Sequence, residues 1–180
     1  PPDDVYVSMT DASLPKAPSV PSVPKKIPRT SAPEVVSAVS PARRAAYEVV
    51  RRVFEQEAYA DRALRTAVGG LDDRDRALAR QLAYGTVQRA RTLDHVIETV
   101  GRRPIRKLDE PVRAALRLGA FQLVFLDGVP RYAAVNESVE LVRRSRLERA
   151  VPFTNAVLRR LAEEGRAFVE ALPEVTPGEA

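Results

Sequence analysis

The chain has 180 residues, with 29 lysines and arginines against 24 acids, one histidine and no cysteine, for a net charge of +5. That length holds one domain with a real core plus tails. Without cysteine there is no disulfide, thiolate metal site or cysteine nucleophile; the lone His95 offers no metal cluster, and no apolar run reaches the roughly 18 residues of a membrane span.

Residues 1–40 contain eight of the fifteen prolines, centred on PSVPSVPKKIP. Repeated proline removes backbone donors and blocks helices and ladders, so 1–40 reads as a disordered Pro/Ser-rich tail. It lacks the charged start and apolar core of a secretion signal. Beginning at Pro1, with Met9 its only methionine, the chain reads as a fragment or as one translated from Met9.

A helical domain is expected over 41–166. Its first helix opens at Ser40-Pro41, a cap followed by proline at the first helical position. Ala46, Val49, Val50 and Val53 point inward, and Arg43, Arg44, Arg51 and Arg52 lie on other faces, with Glu48 and Glu55 at pairing distance. A short helix around Tyr59–Val68 stops at Gly69-Gly70. Asp72 or Asp73 caps the next helix, where Leu78, Leu82 and Gly85 share a side. Leu93, Val96, Ile97 and Val100 then continue a helical face. Gly85 and Gly119 fall inside helical patterns, which implies close helix–helix approach there.

The stretch Val112–Val142 organises the rest. Its first half is apolar on nearly every face, with Arg113 and Arg117 as its only wettable strip. Such a helix is wrapped by other helices. Asp127-Gly128 and Pro130 end it, and a second helix starts near Arg131, giving a buried central hairpin. The final helix, from about Thr154, turns Ala156, Val157, Leu158 and Leu161 inward. Residues 167–180 are acidic and proline-bearing and read as a linker or tail.

The positive charge belongs to the folded part. Residues 1–40 hold four charges of each sign, 41–166 hold 25 basic and 17 acidic, and 167–180 hold three acids and no base. Only four residues are lysine, so the excess is arginine, which binds phosphate in forked geometry; a GC-rich genome would give the same bias. Two segments concentrate it. Arg102, Arg103, Arg106 and Lys107 fall in a proline-containing loop with no acid before Asp109, and Arg143, Arg144, Arg146 and Arg149 follow the central hairpin, relieved by Glu148. Each is either a phosphate-contacting patch or a solvated loop. Tyr47, Tyr84 and Tyr132 are candidates for base stacking or for the core edge. Asn136 and Asn155, near helix starts, are expected to bond to backbone. His95 has no triad or metal partner in view.

The segments LRLGAFQLVFLDGVP and AAVNESVELVR, with DRDRALARQLAYGTVQR, TLDHVIE and FTNAVLRRL, resemble the NusB fold over roughly Pro41 to Glu164. The nearest variant is the amino-terminal domain of the RsmB (Sun) family of ribosomal-RNA cytosine-C5 methyltransferases, related to transcription antitermination factor NusB. The resemblance implies an all-α NusB-like bundle with a buried central helix. It also implies an RNA-touching arginine run at the first helix, matched here by Arg43 and Arg44, though Ala42, Ala45 and Ala46 thin it.

In that family the chemistry sits in a separate α/β domain with a glycine-rich S-adenosylmethionine loop and a Pro-Cys nucleophile. Neither is in this sequence, so the chain alone is expected to be no enzyme and to need no cofactor. The expected function is RNA binding, as the targeting module of a ribosomal-RNA 5-methylcytosine methyltransferase. The alternatives are a stand-alone antitermination factor binding ribosomal-RNA leader and a helical scaffold without an RNA role. The RNA-binding set comprises Arg43, Arg44, Arg51, Arg102, Arg103, Arg106, Lys107, Arg143 and Arg144. Expected partners are ribosomal RNA or its precursor, with a C-terminal methyltransferase domain or a ribosomal small-subunit protein, in the cytoplasm and without membrane.

Overall fold

A computed structural model describes residues 38–173. Residues 1–37 of the expected tail, and 174–180, lie outside the described residues. Among those described, the chain forms seven α-helices and no strand: α1 (Pro41–Gln56), α2 (Ala60–Ala67), α3 (Asp73–Gln88), α4 (Ala90–Gly101), α5 (Glu110–Phe125), α6 (Arg131–Arg144) and α7 (Val151–Glu170). Short 3-10 turns at Ile105–Lys107 and Glu148–Ala150 lead into α5 and α7. No helix among the described residues is long and apolar enough to cross a membrane.

Local chemistry sets the boundaries. Asp72 caps α3 by accepting the Asp75 N–H at 2.7 Å, and Asp73 and Asp75 complement the helix's positive end. α2 gives way to Gly69-Gly70, with Gly70 at φ +84°, where a Cβ would be strained. Ser40 precedes α1 but caps nothing with its side chain. Its hydroxyl instead accepts from Arg43 at 3.2 Å, and its backbone N–H donates to Glu137 at 2.8 Å.

α5 is the hub. Every residue from Ala114 to Val124 is buried, and the helix packs against α1, α3, α4, α6 and α7. The wettable strip expected on it does not exist as such. Arg117 is only 6% exposed; its guanidinium makes a forked pair with Asp94 of α4 at 2.6 and 2.8 Å and lies 4.2 Å from the Phe54 ring centre. The neutralising carboxylate is 23 residues away, so helical spacing alone could not reveal it. Arg113 is half-buried and donates to the Leu108 carbonyl at 2.9 Å.

Gly85 and Gly119 sit where helices meet closely. A Cβ on Gly85 would run into the Phe121 ring, and one on Gly119 would lie 2.8 Å from both Leu158 and Ser138. α7 differs in two ways from its reading in sequence. Ala156 faces solvent, leaving Val157, Leu158 and Leu161 as the inward set. The helix also runs past 166 to Glu170, because Phe168 and Val169 still have core to cover.

Candidate nucleic-acid interface

Two loops meet at one end of the bundle. The Tyr47 hydroxyl, on α1, donates to the carbonyl of Pro111 at the start of α5 (3.2 Å) and lies 3.1 Å from the Ser145 hydroxyl just after α6. The end of α4 meets the first half of α7: Arg103 lies 5.8 Å from the Phe153 ring centre, and Arg160, at mid-helix, donates to the Val100 carbonyl at 3.3 Å. The α4–α5 and α6–α7 connections therefore share a face, and both basic segments are on them.

The arginines divide by whether a carboxylate already holds them. Arg102, Arg103, Arg106 and Lys107 are all exposed, and none is within 4 Å of a carboxylate among the described residues. Ile105 anchors this loop, buried and donating its N–H to Glu98 at 2.7 Å. Arg102 has φ +50°, a left-handed residue that ends α4 and turns the chain outward. Arg146 and Arg149, likewise exposed and unpaired among the described residues, add to the same end.

Arg143 and Arg144 are also there, but they share one carboxylate, Glu140, at 2.9 and 3.2 Å. Two cations on one buried acid still leave a net positive charge, with both guanidiniums partly exposed. Arg44 is exposed on α1 and lines, with Arg144, Tyr47 and Ser145, a groove of about 480 Å³ between α1 and α6.

Arg43 and Arg51 do not join this set. Arg43 is 9% exposed; its guanidinium donates to Gln122 at 2.5 Å and to Glu137 at 3.0 Å, tying α1 to α5 and α6. Ala42 and Ala45 beside it pack with Ala79 of α3. Arg51 makes a forked pair with Glu55 at 2.6 and 2.8 Å, and that hydrogen bond raises its pKa further.

The tyrosines divide in the same way. Tyr47 is buried, and burial raises its hydroxyl pKa against the opposing hydrogen bond from Ser145. Tyr84 donates its hydroxyl to Asp61, and that bond raises its pKa. Tyr132 is left 73% exposed. The two asparagines depart from expectation, for neither side chain forms a hydrogen bond among the described residues. Instead both line a cavity of about 440 Å³ between α6 and α7, with Arg131, Tyr132 and Arg159. Sequence reading missed this convergence; its one signal was the four-residue spacing of Tyr132 with Asn136 and of Asn155 with Arg159.

Comparison with known proteins follows the same lines. The NusB family model matches residues 40–163. A probable ribosomal RNA small subunit methyltransferase B of Synechocystis sp. is 39% identical over 134 residues, covering 72% of this chain and 30% of that protein. The transcription antitermination protein NusB of Halorhodospira halophila is 42% identical over 91 residues, 51% of this chain and 59% of that one. Among solved structures, a chain in the crystal structure of antitermination factors NusB and NusE in complex with dsRNA superimposes with a TM-score of 0.64 at 25% identity, over 68% of this chain and 94% of that chain. The chain thus spans about 30% of the methyltransferase relative's length.

Proposed function

Because the chain belongs to the NusB family, we propose that it binds RNA through the basic end of its bundle, as the targeting module of a ribosomal-RNA 5-methylcytosine methyltransferase. One observation carries the reading. Arg102, Arg103, Arg106 and Lys107 stand exposed on one anchored loop without carboxylate partners among the described residues, at the same end as Arg146 and Arg149. A cluster of unpaired cations on a rigid support attracts a polyanion, and guanidiniums match the two oxygens of a phosphate.

In this reading the bundle holds ribosomal RNA or its precursor, and a separate catalytic domain supplies the methyl group; this chain needs no cofactor and works in the cytoplasm. Arg44 and Arg144 extend the phosphate track along the α1–α6 groove, with Arg143 next to them on Glu140. A stand-alone antitermination factor is the second reading, favoured by the 42% identity to an antitermination NusB.

Anisotropy of a labelled single-stranded RNA tests the proposal. Each phosphate neutralised on a single strand contributes about −0.7 to the slope of log affinity against log salt. The basic end should give a slope of roughly −3. A flat salt profile, or no binding at low salt, would leave the domain a scaffold. Reading the coding sequence through Ala180 separates the two RNA readings: a following α/β domain with a Pro-Cys motif supports the methyltransferase.

A further inference from the structure

The chain contains only two asparagines, Asn136 and Asn155. They come from different helices, yet both line the α6–α7 cavity. Each has a partner one helical turn away on its own helix, Tyr132 before Asn136 and Arg159 after Asn155, so each pair presents along one face. Asn136 is exposed, Asn155 is half-buried, and neither amide has a hydrogen-bond partner among the described residues.

The flanking charges are also uncommitted. Arg131 and Arg159 have no carboxylate within 4 Å among the described residues, whereas the adjacent Arg160 pairs with Glu164 at 3.5 Å. Glu163 is the one acid lining the cavity, so its surroundings keep a positive balance. The buried Val135 is part of the wall.

An amide offers one donor and one acceptor side by side, the pattern that reads the edge of a nucleobase. An exposed aromatic ring supplies a stacking surface, and guanidiniums beside it hold the flanking phosphates. The cavity takes the first turns of α6, Arg131 to Asn136, and Asn155 to Glu163 of α7, a different part of the surface from Arg143 and Arg144 at the far end of α6. We propose that the α6–α7 groove is a base-reading site for single-stranded RNA. Tyr132 stacks on the base, Asn136 and Asn155 read its edge, and Arg131 and Arg159 grip the adjoining backbone. This rests on the RNA-binding reading above and adds sequence selectivity to it.

The test uses the full chain with labelled 12-nucleotide homopolymers of adenosine, cytidine and uridine. Wild-type affinities should spread by about tenfold or more, the discrimination expected of one good amide–base pair. In the Asn136→Ala, Asn155→Ala double variant the spread should collapse to about twofold, with the salt slope unchanged, since slope counts phosphates and not bases. Both positions face solvent at least in part, and helical circular dichroism checks that the variant folds.

In parallel, asparagine-selective nitrogen-15 labelling gives just two side-chain amide signals, and both should shift on adding the preferred homopolymer. A spread retained by the double variant, no spread in the wild type, or amide signals unmoved by bound RNA would each overturn base reading while leaving phosphate binding intact. No binding of any homopolymer at low salt would instead overturn the RNA reading itself.

Discussion

Arg43 and Arg102 look alike in sequence: each is half of a double arginine beside a proline or an alanine. The structure puts them to opposite uses. Arg43 is enclosed where α1 meets α5 and α6, its guanidinium held by Gln122 and Glu137. Arg102 stands in solvent at the turn that ends α4, and no carboxylate among the described residues restrains it. Arg117 belongs with Arg43, paired to Asp94 and stacked near Phe54. Arg103, Arg106 and Lys107 belong with Arg102. In this chain an arginine holds the fold together when a carboxylate from another helix reaches it, and is open to a ligand when it stands exposed with no carboxylate of its own.

The strongest way to break this division is to remove an interior arginine. Arg43→Ala leaves Glu137 buried without its cation, and the loss of one partner of a buried pair costs about 3–5 kcal/mol. Denaturant unfolding should show that loss, while RNA affinity of the folded fraction stays within about twofold. If Arg43→Ala instead unfolds normally and weakens RNA binding strongly, the residue belongs to the interface. Next in size is Gly85→Ala, which pushes a methyl group into the Phe121 ring; overpacking of that kind costs about 1–3 kcal/mol. It should lower the unfolding midpoint and leave the salt dependence of binding untouched.

Much of the fold was legible because its signals are local. The apolar stretch from Val112, the stop at Asp127-Gly128-Val129-Pro130 and the cap at Asp72 each need only neighbouring residues to be read. Gly85 and Gly119 carried their own meaning, as closeness of α3 and α7 to α5. What stayed hidden was decided by residues far apart in the chain. Arg117 looked wettable because Asp94 is not on its helix. Arg43 looked like a ligand for RNA because Gln122 and Glu137 lie 79 and 94 residues away. For the same reason the α4–α5 loop was the readable part of the candidate interface, its cations sitting together without acids. The Asn136–Asn155 groove needed the packing of α6 on α7 before it could be seen.

The exposed end supplies a milder contrast. Arg102→Ala with Arg103→Ala should weaken binding of single-stranded RNA by roughly tenfold at moderate salt and reduce the magnitude of the salt slope by about 1.4, two phosphate contacts' worth. Stability should change by no more than about 0.5 kcal/mol, as for other exposed substitutions. Arg51→Ala is the matched control. Its partner Glu55 is one helical turn away, so the slope should not move and stability should fall by at most about 0.5 kcal/mol. Equal slope changes in the two variants would show that pairing does not sort these arginines.

The finest effect, read only as a change with pH, is expected where the two regions touch. Tyr47 is buried among the interior side chains, yet its hydroxyl reaches Pro111 and Ser145 at the basic end. Tyr47→Phe should cost about 1 kcal/mol, the usual net worth of a buried hydrogen bond. The sign of its pH dependence follows from burial, which raises the folded-state pKa above the ordinary value of 10.0. Below that ordinary value the hydroxyl is neutral in both states and its stabilisation is complete. As pH rises past it, the unfolded chain ionises first, so the stabilisation falls away and is lost by the time pH passes the folded pKa. The stability gap between wild type and Tyr47→Phe should therefore be constant from pH 7 to 9 and narrow above 10. A gap that widens with alkalinity would mean the hydroxyl is not buried as described, and the interior would end short of the basic face.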